Sequence, residues 1–270
     1  MNGQPQAAKE KKYMVKHKAM KTKLVILLFI VSTSVFSQNK TIVPVSGAIV
    51  FVKEERILDK DLYLKSWKEF MPKMQKAIEE QIYLERLTDG KVTDTTQLKL
   101  ASLTMSENFE MMLPILLEEE KQDFKFYHEF KNDSIIKYVT LDGQLINSRI
   151  LIDKVSGTVT NEFDEQVIVE KNEILKLTVF KDQIKSINGY NCFKVIYTSN
   201  ESSQSDLNFM SSILTTTREL WVTDKIKCNY HPVIDESEIL EKYYPLEIIE
   251  YSDSLKGFET LYKLEKLEIK

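Results

Sequence analysis

Cysteine, histidine, glycine and proline are all scarce in this chain, at two, three, seven and six residues among 270. Each shortage excludes something. Two cysteines without a C-x-x-C, and histidines only at His17, His128 and His231, do not supply the three or four converging ligands of a zinc site. The few glycines form no G-x-S-x-G, no phosphate-binding loop and no G-x-G-x-x-G, so backbone cradles for anions are not expected. The apolar run at residues 24–31 falls short of the roughly 20 residues that a membrane-spanning helix needs.

That short run is nevertheless informative. Lys21 and Lys23 stand at its head, and small or polar residues follow as far as Ser37. This is the shape of a secretory signal, with Val35 and Ser37 at the −3 and −1 positions and Gln38 as the mature start. A signal anchor is the competing reading. Met20 opens a signal of ordinary length, so residues 1–19 are either an over-long start or an extended polar lead. Residues 1–37 are thus expected to be removed, leaving residues 38–270 as one β-rich domain.

Removing seven lysines and one glutamate leaves 30 basic and 40 acidic residues, a formal charge of −10. Nucleic acid is not an expected partner of such a chain, because phosphate binding needs clustered cations. Docking on anionic headgroups by charge is disfavoured for the same reason. The 13 phenylalanines and 12 tyrosines supply a core, so disorder is not the reading.

Residues 47–56 are rich in β-branched and aromatic side chains and read as a first strand. Asp59 then caps a helical region, the start of an insert over about residues 59–120. Tyr63, Trp67, Phe70, Met71, Met74, Ala77, Ile78 and Ile82 follow at three- and four-residue spacing and make one apolar face. Pro72 is expected to kink or split that helix near Phe70. A second short helix is expected over residues 106–120.

From Asp123 the period changes to two. Strands are expected at 124–130, 135–141, 145–153, 158–163, 166–170, 175–180, 190–198, 216–223, 247–252 and 258–269. Turns fall at Asn132, Asp142-Gly143 and Asn188-Gly189. In the last strand Phe258, Thr260, Tyr262 and Leu264 share a face, while Leu267 and Ile269 have the opposite parity. A bulge near Glu265 would reconcile them. Strands at about ten-residue spacing argue for one long antiparallel sheet, curved into a sandwich, barrel or half-barrel, with the helical insert across its concave side.

Ile187-Asn-Gly-Tyr-Asn-Cys-Phe-Lys-Val195 is similar to the I-x-G-Y-x-C-x-K strand of uncharacterised exported Bacteroidetes proteins, and Glu219-Leu-Trp-Val-Thr-Asp-Lys-Ile226 resembles their W-V-T-D-x-I strand. Tyr244-Pro245-Leu246 sits where these families carry an aromatic-Pro-Leu or GLPGLI segment, with both glycines of that motif missing. The chain therefore resembles the GLPGLI and LolA-like group over residues 187–270. The resemblance implies a half-open antiparallel barrel plugged by helices, whose known members carry lipids or acyl chains. Asp133-Ser134-Ile135 and Asp253-Ser254-Leu255 match the short O-glycosylation signal of the same bacteria.

Cys192 and Cys228 both lie in the exported part. They are expected either as one disulfide or as two buried thiols packed as small hydrophobes. A Cys–His nucleophile would need a third orienting group, and nothing beyond the sequence proximity of Cys228 and His231 supports one. Acidic pairs such as Glu54-Glu55 and Glu79-Glu80 read as solvated faces. No catalytic residue, metal or cofactor is expected, and the chain does not read as an enzyme.

Two functions stay open. One is a periplasmic or extracellular binding module that holds a lipid or acyl chain against Trp67, Phe70, Met74 and Ile78. The other is a structural or interaction protein of the cell envelope, with a closed core and a protein partner.

Overall fold

The computed structural model describes residues 41–88, 122–163, 165–167, 173–200 and 215–270; for residues 78, 80–88, 173 and 200 it describes the backbone alone. Its compact unit is Ile42–Lys270. The chain is mainly β. Eleven strands form one sheet: β1 (Ser46–Ile57), β2 (Phe124–Lys131), β3 (Ser134–Leu141), β4 (Gln144–Leu145), β5 (Ile150–Asp153), β6 (Val159–Asn161), β7 (Glu173–Ile187), β8 (Tyr190–Asn200), β9 (Thr215–Thr223), β10 (Tyr244–Ser252) and β11 (Phe258–Ile269). Among the described residues two helices accompany them, α1 (Lys60–Thr88) and α2 (Ser237–Leu240).

The strand order is β6-β5-β3-β2-β1-β11-β10-β9-β8-β7, with β4 on β3. Every pairing between these strands is antiparallel, and β6 and β7 are left as separate edges, so the sheet curves without closing. The two hairpin-rich halves meet where β1 lies between β2 and β11.

Turn chemistry sets the hairpins. Asn132, Asp142 and Asn188 all take positive φ, and Gly143 and Gly189 follow the last two. These Asp-Gly and Asn-Gly pairs are the two-residue turns whose twist matches that of the strands they join.

Alternation decides which face is buried. Ile49 and Phe51 of β1, Phe126, His128 and Phe130 of β2, and Ile135 of β3 are aligned across the ladder on one face. So are Leu220 and Val222 of β9, with Val195 and Phe193 of β8. The expected bulge in the last strand is present. Val50 and Phe51 pair with Lys266 and Leu264, which leaves Glu265 as the extra residue. It returns Leu267 and Ile269 to the same face as Tyr262 and Leu264.

The expected strand at 145–153 is broken into β4 and β5. The Asn147 side chain accepts the Val139 amide at 3.0 Å, in place of a strand carbonyl. At 166–170 the described part is a single bridge between Thr160 and Gln166. The strand expected at 175–180 is longer, as β7. The helix expected at 106–120 and the serine-rich connection 201–212 lie outside the described residues.

α1 begins as expected, with Asp59 Oδ1 accepting the Leu62 amide at 2.9 Å. It is not split at Pro72. Proline removes one amide donor and leaves the Lys68 carbonyl short of a partner. Lys68 and Pro72 are both exposed, so water can take the missing place.

The first turn of α1 rests on the β10–β11 turn. Leu58 and Asp59 donate their amides to the Gly257 carbonyl, Ser66 donates its hydroxyl to the Lys256 carbonyl at 3.2 Å, and Tyr63 stacks on Phe258 at 5.3 Å. Gly257 has φ +81°, and a Cβ there would lie 2.5 Å from the Asp59 carbonyl oxygen. Gly189 has the same φ but open space around it.

These two glycines separate strain from collision. Gly189→Ala should cost about 1 kcal/mol for the left-handed backbone alone. Gly257→Ala should cost about 2–3 kcal/mol, since the helix start must also move. Urea denaturation of the two variants measures the difference.

Candidate functional site on the inner face of the sheet

Residues 224–243, between β9 and β10, do not leave the sheet. They run back over its inner face. Ile42 ties their start through the Lys225 carbonyl and the Lys227 amide. Ile226, Val233 and Ile234 then enter the sheet core together with Ile239 and Leu240 of α2. This connector touches strands from both halves: Phe51 of β1, Lys137 of β3, Phe193 and Tyr197 of β8, Arg218 of β9 and Tyr244 of β10. A flat sheet could not offer one segment so many strands, so these contacts express its curl.

Two polar anchors hold the connector. The first is Glu236, whose side chain is fully buried. Its Oε1 accepts from Arg218 Nη1 at 2.8 Å, and the Tyr197 hydroxyl also bonds it. Arg218 donates through Nε to Glu250 at 2.6 Å and through Nη1 to Tyr197 Oη at 3.1 Å. Burial opposes the guanidinium charge, but Tyr197, Glu250 and Glu236 outweigh it and hold Arg218 well above its usual range. Burial first, with Glu236 adding, pushes the Tyr197 hydroxyl upward.

The second anchor is His231, fully buried between Phe51 and Tyr244 at ring distances of 4.8 and 4.9 Å. Its Nδ1 accepts two amides, from Val233 at 3.1 Å and Ile234 at 3.3 Å. The ring proton therefore sits on Nε2 and is donated to the Pro245 carbonyl at 3.1 Å. Burial holds this imidazole down to about 3; the Pro245 bond opposes that and Lys137 reinforces it.

His128 is also fully buried, and neither ring nitrogen has a hydrogen-bond partner among the described residues. Burial, then Lys137 and His231, keeps it neutral and well below the ordinary histidine range.

The residues expected to hold an apolar ligand are elsewhere. Trp67, Phe70 and Met74 are buried at 8%, 2% and 4% exposure on one face of α1, and they belong to neither of the two sheet clusters. Ile78 continues the helix, but its side chain lies outside the described residues. An open depression of about 250 Å³ lies beside the first turn of α1, lined by Leu58, Tyr251, Leu255, Phe258 and the intervening turn. Asp253 and Leu255, which flank Ser254 in one of the two glycosylation-like tripeptides, are among its lining residues.

Of the two readings left open for the cysteines, the structure has the unbridged one: Cys192 and Cys228 are free thiols. The register explains this. Phe193 pairs with Val222, so Cys192 lies level with the end of β9, while Cys228 is several residues into the connector. Each sulfur instead meets a backbone carbonyl, Cys192 that of Tyr190 at 3.8 Å and Cys228 that of Tyr230 at 3.2 Å. Burial first, then Glu247, pushes the Cys192 thiol up to about 12. Burial raises Cys228 as well.

Among the described residues no three His, Cys, Asp or Glu side chains converge as metal ligands, and no helix is long and apolar enough to cross a membrane. No family model matches the chain, and comparisons with curated proteins and with solved structures return no match.

Beyond the resemblance that ends at Ile226 and the candidate residues Cys228 and His231, sequence pattern assigns no role to residues 224–243. The available signal is faint. Val233, Ile234, Ile239 and Leu240 are too apolar for an exposed loop and too irregular for a strand.

The anchoring ion pair sets one expected outcome. Glu236→Leu takes from the buried Arg218 one of its two carboxylate partners, leaving Glu250, and should lower stability by about 2–3 kcal/mol. Glu265→Gln, which loosens the exposed Lys125–Glu265 pair, should change it by less than about 0.5 kcal/mol. Chemical denaturation at neutral pH reads both.

Proposed function

We propose that this is an exported, non-enzymatic protein that binds an apolar ligand, such as a lipid or acyl chain, between α1 and the end of the curved sheet. The observation that carries the reading is the stripe of Trp67, Phe70 and Met74. Three large apolar side chains are withdrawn from water on a helix that joins neither core cluster of the sheet. Such a stripe is a separate apolar layer, and Met74 adapts its shape to what it meets. Ile78 extends the same spacing.

The chemistry of the buried groups weighs on the same side. A thiol pushed up to about 12 is no nucleophile at neutral pH, and His231 has both nitrogens committed to the backbone. No cofactor is proposed. The periplasm or the exterior remains the proposed location, on the strength of residues 20–37.

A second reading, an envelope structural or interaction protein, draws on a different observation. The connector fills the inner face of the sheet with its own side chains, as a closed core requires.

Native mass spectrometry of the protein, purified from its own envelope fraction, separates the two. The expected result is a near-stoichiometric added mass that denaturation releases as lipid, and that Trp67→Ala and Phe70→Ala abolish. A bare mass that takes up no added lipid would overturn the carrier reading in favour of the second.

A further inference from the structure

We propose that residues 227–235 form an acid-released plug: protonation of His128 and His231 frees this stretch from the inner face of the sheet and uncovers the apolar surface beneath it. The release does not depend on whether a ligand binds under α1.

The geometry carries the argument. Both ends of the stretch are pinned by contacts without a histidine. Ile226 is held by its bridge to Ile42, and Glu236 by Arg218. Between them, the Val233 and Ile234 amides are held by the His231 ring, Lys227 by the Ile42 carbonyl and Asp235 by Lys137. When neutral, that ring accepts the Val233 and Ile234 amides at Nδ1. A proton placed on Nδ1 turns the acceptor into a donor facing two donors, and the local fold of the stretch is lost with it. His128 lies on β2 under the same stretch, with both ring nitrogens unbonded among the described residues. Burial of a cation there has nothing to offset it.

The neighbours do not compensate. From β1 come Ile49 and Phe51, and from β2 Phe130, all apolar. From β3 comes Lys137, whose charge acts on both rings. From β10 come Tyr244 and the Pro245 carbonyl. Lys154, which follows β5, acts on Cys228 of the connector. Asp235 is the one carboxylate of the stretch, and it already pairs with Lys137 at 3.2 Å. Two imidazolium charges would therefore face lysines across an apolar floor.

The sign follows from linkage. Both histidines are depressed in the closed form, so closure is fully stable above about pH 6.5, the ordinary histidine value, and weakens as pH falls below it. With both rings at their ordinary value once released, the opening constant should rise about sixty-fold between pH 6 and pH 5, and about eight-fold if only one ring takes part.

Amide hydrogen exchange of the purified full chain tests this, with rates converted to protection factors so that the intrinsic pH dependence of exchange cancels. The Val233 and Ile234 amides should lose protection about sixty-fold from pH 6 to pH 5, while amides of β1 and β9 hold theirs. His128→Leu should reduce the loss to about eight-fold. The wild-type comparison of plug and strand amides stands even where that variant does not fold. Unchanged protection at Val233 and Ile234 would overturn the proposal, and so would a loss shared equally by β1 and β9, which is ordinary acid unfolding.

Discussion

The placement of Glu236 beside Arg218 is the contact on which the rest of this architecture leans. An antiparallel sheet that curls without closing has an inner face that must be covered. Here the cover is a stretch of chain with little regular structure of its own, and its apolar side chains would tolerate several positions. A buried carboxylate tolerates few. Glu236 reaches a guanidinium that also bonds Tyr197 and Glu250, so one residue of the connector is fixed against three strands. Burying such charges costs about as much as their attraction returns, so the cluster contributes position more than net stability.

The curvature itself has identifiable sources. Glu265 is an extra residue in β11 opposite β1, and a second irregularity lies between Pro245 and Glu247 of β10 opposite β9. Each bulge increases local twist. On β7, Lys181, Asp182 and Gln183 swell the edge strand between two regular stretches of pairing. An edge broken in this way, and carrying lysines, is a poor template for another strand, which suits the end of an unclosed sheet.

Much of the fold was legible in the sequence because its signals are local. The Asp-Gly and Asn-Gly turns, the Asp59 cap and the alternation of β2, β3, β8, β9 and β11 all act within a few residues. The parity switch in residues 258–269 even revealed the bulge at Glu265. The inner-face site was not legible. Arg218 looks like any charged residue of an alternating strand, and Glu236 like any loop carboxylate. Their partnership depends on β8, β9 and β10 curling around a connector, a tertiary fact without a local period. Between a disulfide and two thiols at Cys192 and Cys228 the sequence could not choose for the same reason, since residue count is local information but register decides distance. Pro72 does not split α1, because a lost helical hydrogen bond costs less where water can reach the freed carbonyl.

Burial has a further consequence for what this protein can do. The groups most able to carry chemistry, the two thiols and the two histidines, are all in or against the core. Desolvation drives each of them toward its neutral form, raising Cys192 and Cys228 and lowering His128 and His231. A catalytic site uses burial against a paired charge or a positioned donor, so that one protonation state becomes reactive near neutral pH. Among the described residues no carboxylate acts on His128 or His231 to favour its charged form, and the cation of Lys137 opposes that form at both. The same environment that closes the core keeps these four groups chemically quiet. What the described residues offer beside these quiet groups is shape and apolar surface, carried by α1 and the connector, and that is the ground on which a binding role is proposed.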